Sequence, residues 1–276
     1  MALLEASMGE LLSNLQRKFG RDFSKYRISC LQRRVTLRMS MLRIATLDEY
    51  MDYLSTNPGE IKQLLNTVTI HVTEFFRDKD VFDAVGQNIL PAMIERKVHS
   101  PSRTIRIWSA GCSTGEEAYS IAILTLEYVR TNALDLSVEV YGTDISEEAC
   151  ATAGAGIYPE RKIEQIPAAL CQKYFEAKDG TIRVVRELKR RVKFSVHDLF
   201  SAPPFSGLDF VVCRNVLIHF DNAVRHGVLI RFHEALGDGG VLILGKSEAV
   251  AGAALNLYKL MDARNKIYQK NVLRGS

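Results

Sequence analysis

The chain has 276 residues, of which 47% are hydrophobic and 25% are charged, and its formal net charge is +4. Such a composition is that of a globular protein with one large domain or two modest ones, and it excludes a disordered or a fibrous chain. The small positive excess fits an anionic partner, either DNA or an acidic protein surface, and does not choose between them.

Five cysteines are scattered along the chain without a Cys-x-x-Cys pair. Their odd number and wide spacing indicate neither a disulfide framework nor a metal site. The first residues carry glutamates where a signal peptide needs positive charge, and no stretch approaches the roughly 18 uncharged apolar residues of a membrane span. We therefore expect a cytoplasmic protein that binds no metal and does not insert into a membrane.

The first part of the chain, residues 1–85, is predicted to form a helical N-terminal domain and a linker. Apolar residues such as Ile28 and Leu31 recur at helical spacing. Thr46 is followed three residues later by Glu49, which is the signature of a capping box at the start of a helix.

From about residue 103 onward, short apolar strands alternate with amphipathic helices. This alternation predicts an α/β domain with a doubly wound parallel sheet over residues 86–276. The pattern breaks within 157–194, a charged stretch in which TIRVVREL followed by VKF is interpreted as a hairpin. A small β-subdomain is therefore expected to be inserted there.

Two features at the predicted strand ends point to a nucleoside cofactor. The loop 111–115 contains two glycines and joins the first strand to a helix, although a plain tight turn would look the same. Asp144 ends the second strand, where a carboxylate can accept the hydroxyls of a ribose, or where it can simply belong to the start of the next helix. The loop lacks G-x-G-x-x-G spacing, which argues against a nicotinamide dinucleotide. A loop for the nucleoside and an acid for the ribose, with nothing that binds phosphates, together favour S-adenosylmethionine.

The segment from Gly240 to Ser247 matches the P-loop pattern G-x-x-x-x-G-K-[ST]. Its four middle residues are Val, Leu, Ile and Leu, which are typical of a buried strand and not of a phosphate-binding loop. We therefore exclude nucleotide hydrolysis.

Polar side chains also adjoin apolar ones in the segments 67–77 and 213–221. Their histidines, His71 and His219, can equally be structural, and Arg77 can form an ion pair with Asp78. No residue pattern supports a Cys/His hydrolase.

Several separated motifs, in the same order, resemble those of the CheR family of chemotaxis receptor methyltransferases. The motifs are RRVTLRM, TEFFRD at 73–78, WSAGCSTGEEAYSIA at 108–122, GTDIS at 142–146, AGIY at 155–158, CRNVLIHFD at 213–221 and GKSE at 245–248. The resemblance implies a helical domain followed by a Rossmann-like methyltransferase domain with a small inserted β-subdomain. It also implies methylation of glutamate carboxylates on methyl-accepting chemotaxis receptors, for sensory adaptation, with S-adenosylhomocysteine as the second product.

The resemblance assigns residues by position. Those implied to bind the cofactor are His71, Thr73, Arg77, Glu117, Asp144, Asp198, Leu199, Asn215 and Val216. Arg77 and His219 are implied to be catalytic. His71, Asp198 and His219 stand where the family usually has Asn, Asn and Tyr, which leaves open a non-catalytic regulator that binds the cofactor, or a methyltransferase for another substrate.

The expected partners are the cytoplasmic helices of the receptors. A basic stripe in the N-terminal domain, either a docking surface or a solvated face, consists of Arg27, Arg33, Arg34 and Arg38. The resemblance implies that members docking on a receptor's C-terminal pentapeptide have a longer, glycine-rich loop than AKDGTI, so action independent of the pentapeptide is expected. No base-methylation motif or basic aromatic channel is present, so nucleic acid is not expected as a substrate, and the protein is expected to be a monomer.

Overall fold

The computed structural model describes residue 9 and residues 11–17, 23–68 and 73–272. The chain forms two compact units. The helical unit comprises residues 1–71 together with 219–225, and the sheet unit comprises residues 72–218 together with 226–276. The predicted division at residue 85 assigned the connecting segment to the N-terminal domain, whereas the residues from 72 onward cluster with the sheet.

In the helical unit, apolar faces pack four helical segments together. They are α1 (residues 11–17), α2 (Ile28–Leu42), α3 (Leu47–Thr56) and α4 (Gly59–Val68). The predicted capping box at the start of α3 is confirmed, because Thr46 accepts from the amide of Glu49 (3.3 Å) and Glu49 accepts from the amide of Thr46 (3.1 Å). The returning segment 219–225 joins this unit through a β-bridge between Tyr26 and Phe220.

Arg38 does not lie in an exposed basic stripe. Its side chain is buried and forms a bidentate ion pair with Glu60, with distances of 2.8 Å from Nε to Oε1 and 2.6 Å from Nη2 to Oε2. The Tyr50 hydroxyl also donates to Glu60 (2.9 Å). The docking role expected of Arg38 is therefore corrected to a structural one, because a guanidinium with all of its charge paired inside the unit is not available to a partner.

The sheet unit contains a seven-stranded sheet in the order β6-β2-β1-β7-β8-β10-β9. Its strands are β1 (Thr104–Ala110), β2 (Ser137–Asp144), β6 (Val192–Val196), β7 (Leu208–Cys213), β8 (Leu236–Leu244), β9 (Tyr258–Asp262) and β10 (Ile267–Lys270). The first five strands of the order are parallel, and β10 runs antiparallel to both of its neighbours. The predicted doubly wound α/β fold is confirmed.

Two helices precede β1 and the others connect the strands. They are α5 (Lys79–Ala84), α6 (Leu90–Val98), α7 (Glu116–Thr131), α8 (Glu147–Ala155), α9 (Ala168–Tyr174), α10 (Arg186–Arg191) and α11 (Asn222–Ala235). A π-helical turn, Val85–Ile89, joins α5 to α6, and 3-10 helices span Glu160–Ile163, Leu217–His219 and Gly252–Leu257. No helix in the described ranges has both the length and the apolar character that crossing a membrane requires.

The inserted subdomain is a three-stranded antiparallel sheet in the order β3-β5-β4. Its strands are β3 (Ile157–Pro159), β4 (Phe175–Lys178) and β5 (Thr181–Val184). The predicted hairpin between TIRV and VKF is wrong, because TIRV pairs with β4 and VKF begins β6 of the large sheet. The side chain of Phe194 lies against Gly142 of β2, where a Cβ atom would come within 2.5 Å of the ring. The absence of a side chain at this glycine therefore allows β6 to pair with β2.

Residues 241–244 are buried in β8, which agrees with the rejection of a P-loop there. Their amides lie within a strand that pairs on both sides, with β7 and with β10. A strand of this kind cannot turn its N–H groups toward a phosphate.

Candidate functional site

The parallel strands β6, β2, β1 and β7 all end at one edge of the sheet, here called the carboxyl edge. Ligands of open α/β sheets bind at this edge. Most of the cofactor-binding residues predicted from the sequence follow one of these strands or pack beside them.

The loop 111–115 is held at the carboxyl edge by Asp144. The amide of Ser113 donates to Oδ2 of Asp144 (2.8 Å), and the amide of Ser146 donates to Oδ1 (3.0 Å). Gly111, Ser113 and Gly115 have φ angles of 76°, 51° and 95°. A carboxylate has about four acceptor positions, so Asp144 fixes the loop and keeps capacity for a ligand hydroxyl.

Close contacts at two glycines bring the loop against neighbouring segments. A Cβ atom on Gly111 would lie 2.6 Å from Cγ2 of Val216, and one on Gly115 would lie 2.7 Å from Cβ of Ala153. Val216 belongs to the segment after β7, so the structure brings together two predicted cofactor segments that are far apart in the chain. Any larger residue at Gly111 would separate them.

The TEFFRD segment has a strained backbone around Arg77. Phe76 and Asp78, on either side of it, have left-handed φ angles of 52° and 59°. Such angles are unfavourable for residues other than glycine, and they cluster at functional sites. The segment is held in place because Phe75 is buried and the amide of Phe76 donates to the Ser120 hydroxyl (2.8 Å).

A charge network lies beside Arg77. The buried guanidinium of Arg214 pairs with Asp78 and lies 3.6 Å from Glu117, and the Ser109 hydroxyl donates to Glu117 (2.9 Å). Burial raises the pKa of Glu117, and the positive charges of Arg214 and Arg77 act in the opposite direction. Arg77 and Glu117, both predicted to bind the cofactor, are therefore close enough for the charge of Arg77 to affect the pKa of Glu117.

The inserted subdomain contributes a lysine to this region. Nζ of Lys162 lies 2.8 Å from the fully buried carboxylate of Glu116, and it donates to the carbonyl oxygen of Thr73 (2.5 Å). The Tyr158 hydroxyl donates to the carbonyl of Thr114 (2.7 Å). Lys162 therefore ties the TEFFRD segment to the helix that follows the glycine loop.

Asp198 and Leu199 directly follow the end of β6. Oδ1 of Asp198 accepts from the amide of Phe200 (2.9 Å), and Leu199 is buried. The amide of His197 donates to the carbonyl of Asp144 (2.9 Å). The segment predicted to flank the adenine therefore lies next to the end of β2.

His219 belongs to the helical unit, where it lies among the predicted docking arginines. Its Nδ1 is 3.6 Å from Sγ of Cys30. Burial lowers the pKa of His219, and the positive charges of Arg34, Arg33 and Arg27 lower it further, so the imidazole is neutral at pH 7. His71 lies outside the described residues.

Sequence reasoning assigned no site role to Arg214 or Lys162. Arg214 adjoins the predicted Asn215, and its position directly after a buried strand was the available signal. Lys162 has no comparable signal, because it is one lysine in a charged stretch and its partner Glu116 is distant in the chain.

The carboxyl edge is compatible with S-adenosylmethionine. The left-handed glycines of loop 111–115 allow close approach of a ligand, and Asp144 ends β2, where a carboxylate can accept hydroxyl groups. The anionic side chains at the edge, Glu117 and Asp144, suit a cationic sulfonium compound with hydroxyl groups and not a polyphosphate.

Comparison with known proteins agrees with this geometry. Residues 6–69 match the family model described as CheR methyltransferase, all-alpha domain, and residues 71–269 match CheR methyltransferase, SAM binding domain.

The chain is 33% identical over 269 residues to a chemotaxis protein methyltransferase of Borreliella burgdorferi, covering 96% of this chain and 94% of that one. It is 30% identical over 256 residues to the chemotaxis protein methyltransferase of Listeria monocytogenes, covering 93% and 94% of the two chains.

The chain is also 30% identical, over 95% of its length, to an uncharacterized 104.1 kDa protein of Rhodobacter capsulatus, of which it spans only 27%. Among solved structures, a TehB-like SAM-dependent methyltransferase from Corynebacterium glutamicum aligns over 70% of this chain and 92% of its own, with 15% identity and a TM-score of 0.37. The two domain matches and the full-length relatives show that the chain belongs to the CheR family of chemotaxis methyltransferases, whose cofactor is S-adenosylmethionine.

Proposed function

We propose that this protein transfers a methyl group to glutamate side chains of methyl-accepting chemotaxis receptors, forming glutamyl methyl esters and S-adenosylhomocysteine. The observation that carries the proposal is the match of both CheR domains, in order, along the chain. The names of the full-length relatives support a chemotaxis substrate. We further propose that the protein acts in the cytoplasm as a monomer. Sedimentation of the full chain, which gives its molar mass in solution, tests the oligomeric state.

The residues proposed to hold the cofactor are those gathered at the carboxyl edge. They are Thr73, Arg77, Glu117, Asp144, Asp198, Leu199, Asn215 and Val216, with His71 proposed from the family resemblance alone. S-adenosylmethionine, when bound, supplies an electrophilic methyl group. Asp144 is proposed to accept from ribose hydroxyls, and Glu117 to pair with the ammonium of the amino-acid part.

The acceptor glutamate needs no general base. The pKa of a glutamate side chain in water is about 4.3, so the carboxylate is already ionised at neutral pH. The protein's contribution is to align the reacting groups, an effect that can be worth roughly 7–11 kcal/mol, and to exclude water from the carboxylate.

Arg77 and His219 are proposed to be catalytic. The planar guanidinium of Arg77 can bind a carboxylate through two hydrogen bonds, and the strained backbone on both sides of it favours a dedicated role. The lowered pKa of His219 keeps its imidazole neutral, so it is suited to hydrogen bonding with a substrate and not to acting as a cation.

Receptor docking is proposed for the arginines of the helical unit that remain available. Arg27 and Arg33 are exposed and Arg34 is half-buried, and none of the three is in an ion pair with a described residue. Arginines whose charge is not paired with a described residue can attract the acidic methylation helices of a receptor. Unchanged receptor affinity and salt dependence after neutralising these three residues would contradict this role.

Methylation by this protein is proposed not to depend on binding of a receptor's C-terminal pentapeptide to the inserted subdomain. Its β4–β5 connection consists only of Asp179 and Gly180, both with left-handed φ angles, which is the form of a tight two-residue turn. Equal methylation of receptor fragments with and without a C-terminal pentapeptide is the expected result.

The test of the proposed function uses S-adenosylmethionine labelled with tritium in its methyl group. The purified chain is incubated with a chemoreceptor cytoplasmic fragment, and with a control fragment whose acceptor glutamates are replaced by alanine. Label on the first fragment only, released by mild base, is the expected result, because methyl esters hydrolyse readily. Cofactor binding without label on any receptor would indicate the non-catalytic regulator, and absence of cofactor binding would contradict the proposal.

A further inference from the structure

Glu248 lies in the turn after β8, in the GKSE motif, and only 4% of the residue is exposed. Its carboxylate accepts hydrogen bonds from four backbone amides. They are those of Gly245 (2.6 Å), Asn215 (3.0 Å), Val216 (2.9 Å) and Ile218 (3.2 Å). Three of these amides belong to the segment between β7 and the helical unit, here called the 214–218 loop.

The 214–218 loop has a shape that suits an anion. Asn215 has a left-handed φ of 61°, and successive amides in such a conformation point into one concavity, which binds anions. A carboxylate offers about four acceptor positions, which matches the four N–H groups. A neutral amide would offer one oxygen and would place its own N–H groups against those of the loop.

Gly245 makes room for this arrangement. A Cβ atom at this position would lie 2.7 Å from the amide nitrogen of Asn215 and 2.7 Å from Oε2 of Glu248. The glycine and the glutamate of the GKSE motif therefore act together to hold the 214–218 loop against the end of β8.

The position of the 214–218 loop affects contacts at the carboxyl edge. Val216 packs directly on Gly111 of the glycine loop, and Arg214 pairs with Asp78 and Glu117. A shift of the 214–218 loop by about 1 Å would disturb both contacts, and displacements of that size can strongly reduce activity.

We propose that Glu248 is a positioning residue that holds the 214–218 loop in the shape required for cofactor binding. The inference rests on the proposed cofactor roles of Asn215 and Val216. Burial raises the pKa of Glu248, and backbone hydrogen bonds, among them those of Gly245, Asn215 and Ile218, act in the opposite direction.

The experiment compares Glu248→Gln with Asp209→Asn in the full chain. Asp209 is a matched control, because it is a partly buried carboxylate at the opposite end of β7 that binds Lys97 and the amide of Arg106 (2.9 Å). The dissociation constant of S-adenosylhomocysteine is measured by calorimetry, the melting temperature by calorimetric scanning, and the protection of amides 215, 216 and 218 by hydrogen exchange.

We expect Glu248→Gln to weaken S-adenosylhomocysteine binding about tenfold or more and to expose the three amides to exchange. Asp209→Asn should leave binding within about twofold of the wild type even when it lowers the melting temperature as much. Wild-type binding and wild-type protection in Glu248→Gln would overturn the inference.

The two proposals fail in different ways. If the wild type does not bind S-adenosylhomocysteine, the proposed cofactor roles fail, and unchanged amide protection in Glu248→Gln would overturn the positioning role independently. Should Glu248→Gln not fold, Glu248→Asp keeps the charge but shortens the reach by one methylene, and wild-type affinity in that variant would overturn the inference.

Discussion

Replacing Arg38 by methionine should destabilise the helical unit strongly while leaving the receptor surface unchanged. Arg38 and Glu60 are 8% and 5% exposed and share two short hydrogen bonds. Methionine keeps much of the length and apolar contact of the arginine stem but none of its charge. The variant therefore leaves the carboxylate of Glu60 buried, with the Tyr50 hydroxyl as its remaining partner among the contacts described here.

The expected size follows from the loss of one member of a buried ion pair, which typically costs about 3–5 kcal/mol. Because Tyr50 still donates to Glu60, we expect a loss near the lower limit, about 3 kcal/mol. The double variant Arg38→Met, Glu60→Gln has no buried charge and keeps an acceptor for Tyr50, so its free energy of unfolding should return to within about 1 kcal/mol of the wild type. The exposed Arg33→Met, on the same helix, should change it by about 0.5 kcal/mol or less.

The assay is hydrogen exchange of the α2 amides, which gives the free energy of opening of the helical unit, together with affinity for a receptor fragment. Arg38→Met should lower the free energy of opening, the double variant should restore it, and the folded fraction of both variants should bind the receptor fragment as the wild type does. A stable Arg38→Met variant with weakened receptor affinity would refute the structural role and return Arg38 to the docking surface. Failure of the double variant to recover would show that the charge pair itself is not the cause.

Three further predictions concern the site. Arg77→Ala should abolish methyl transfer while the chain stays folded, and wild-type turnover would remove Arg77 from the mechanism. Lys162→Met should lower the free energy of unfolding by about 3 kcal/mol, measured in urea, because Glu116 is left buried without its cation, and an unchanged midpoint would contradict this. Because the pKa of His219 is lowered in the folded chain, this histidine is protonated first in the unfolded chain as the pH falls, and the free energy of unfolding decreases below about pH 6.5. The variant His219→Gln should therefore lose less stability than the wild type between about pH 7 and pH 5. The exposed His99→Gln is the control and should behave as the wild type.

Local chemistry made several elements predictable from the sequence. The capping box of Thr46 and Glu49 depends on residues three apart, and the alternation of strands and helices depends on apolar spacing within each element. Asp144 and loop 111–115 could be located because parallel strands end at one edge of the sheet.

Pairings between distant segments were not predictable in this way. VKF does not pair with TIRV but joins the large sheet beside β2, where the glycine at position 142 leaves room for Phe194. The position of VKF depends on a contact with β2, a segment distant in the chain, and no pattern within VKF contains it.

The sequence by itself determined the family, the order of the elements and the positions of the predicted cofactor residues, because motifs and periodicities are local properties of a chain. Only the tertiary structure decided the role of the charges. Arg38 reads as part of a basic stripe but is paired inside the unit with Glu60, and Glu248 reads as one polar residue in a turn but accepts from a distant loop. Whether a charged side chain faces solvent or is neutralised by groups far along the chain depends on three-dimensional packing, which no short pattern contains.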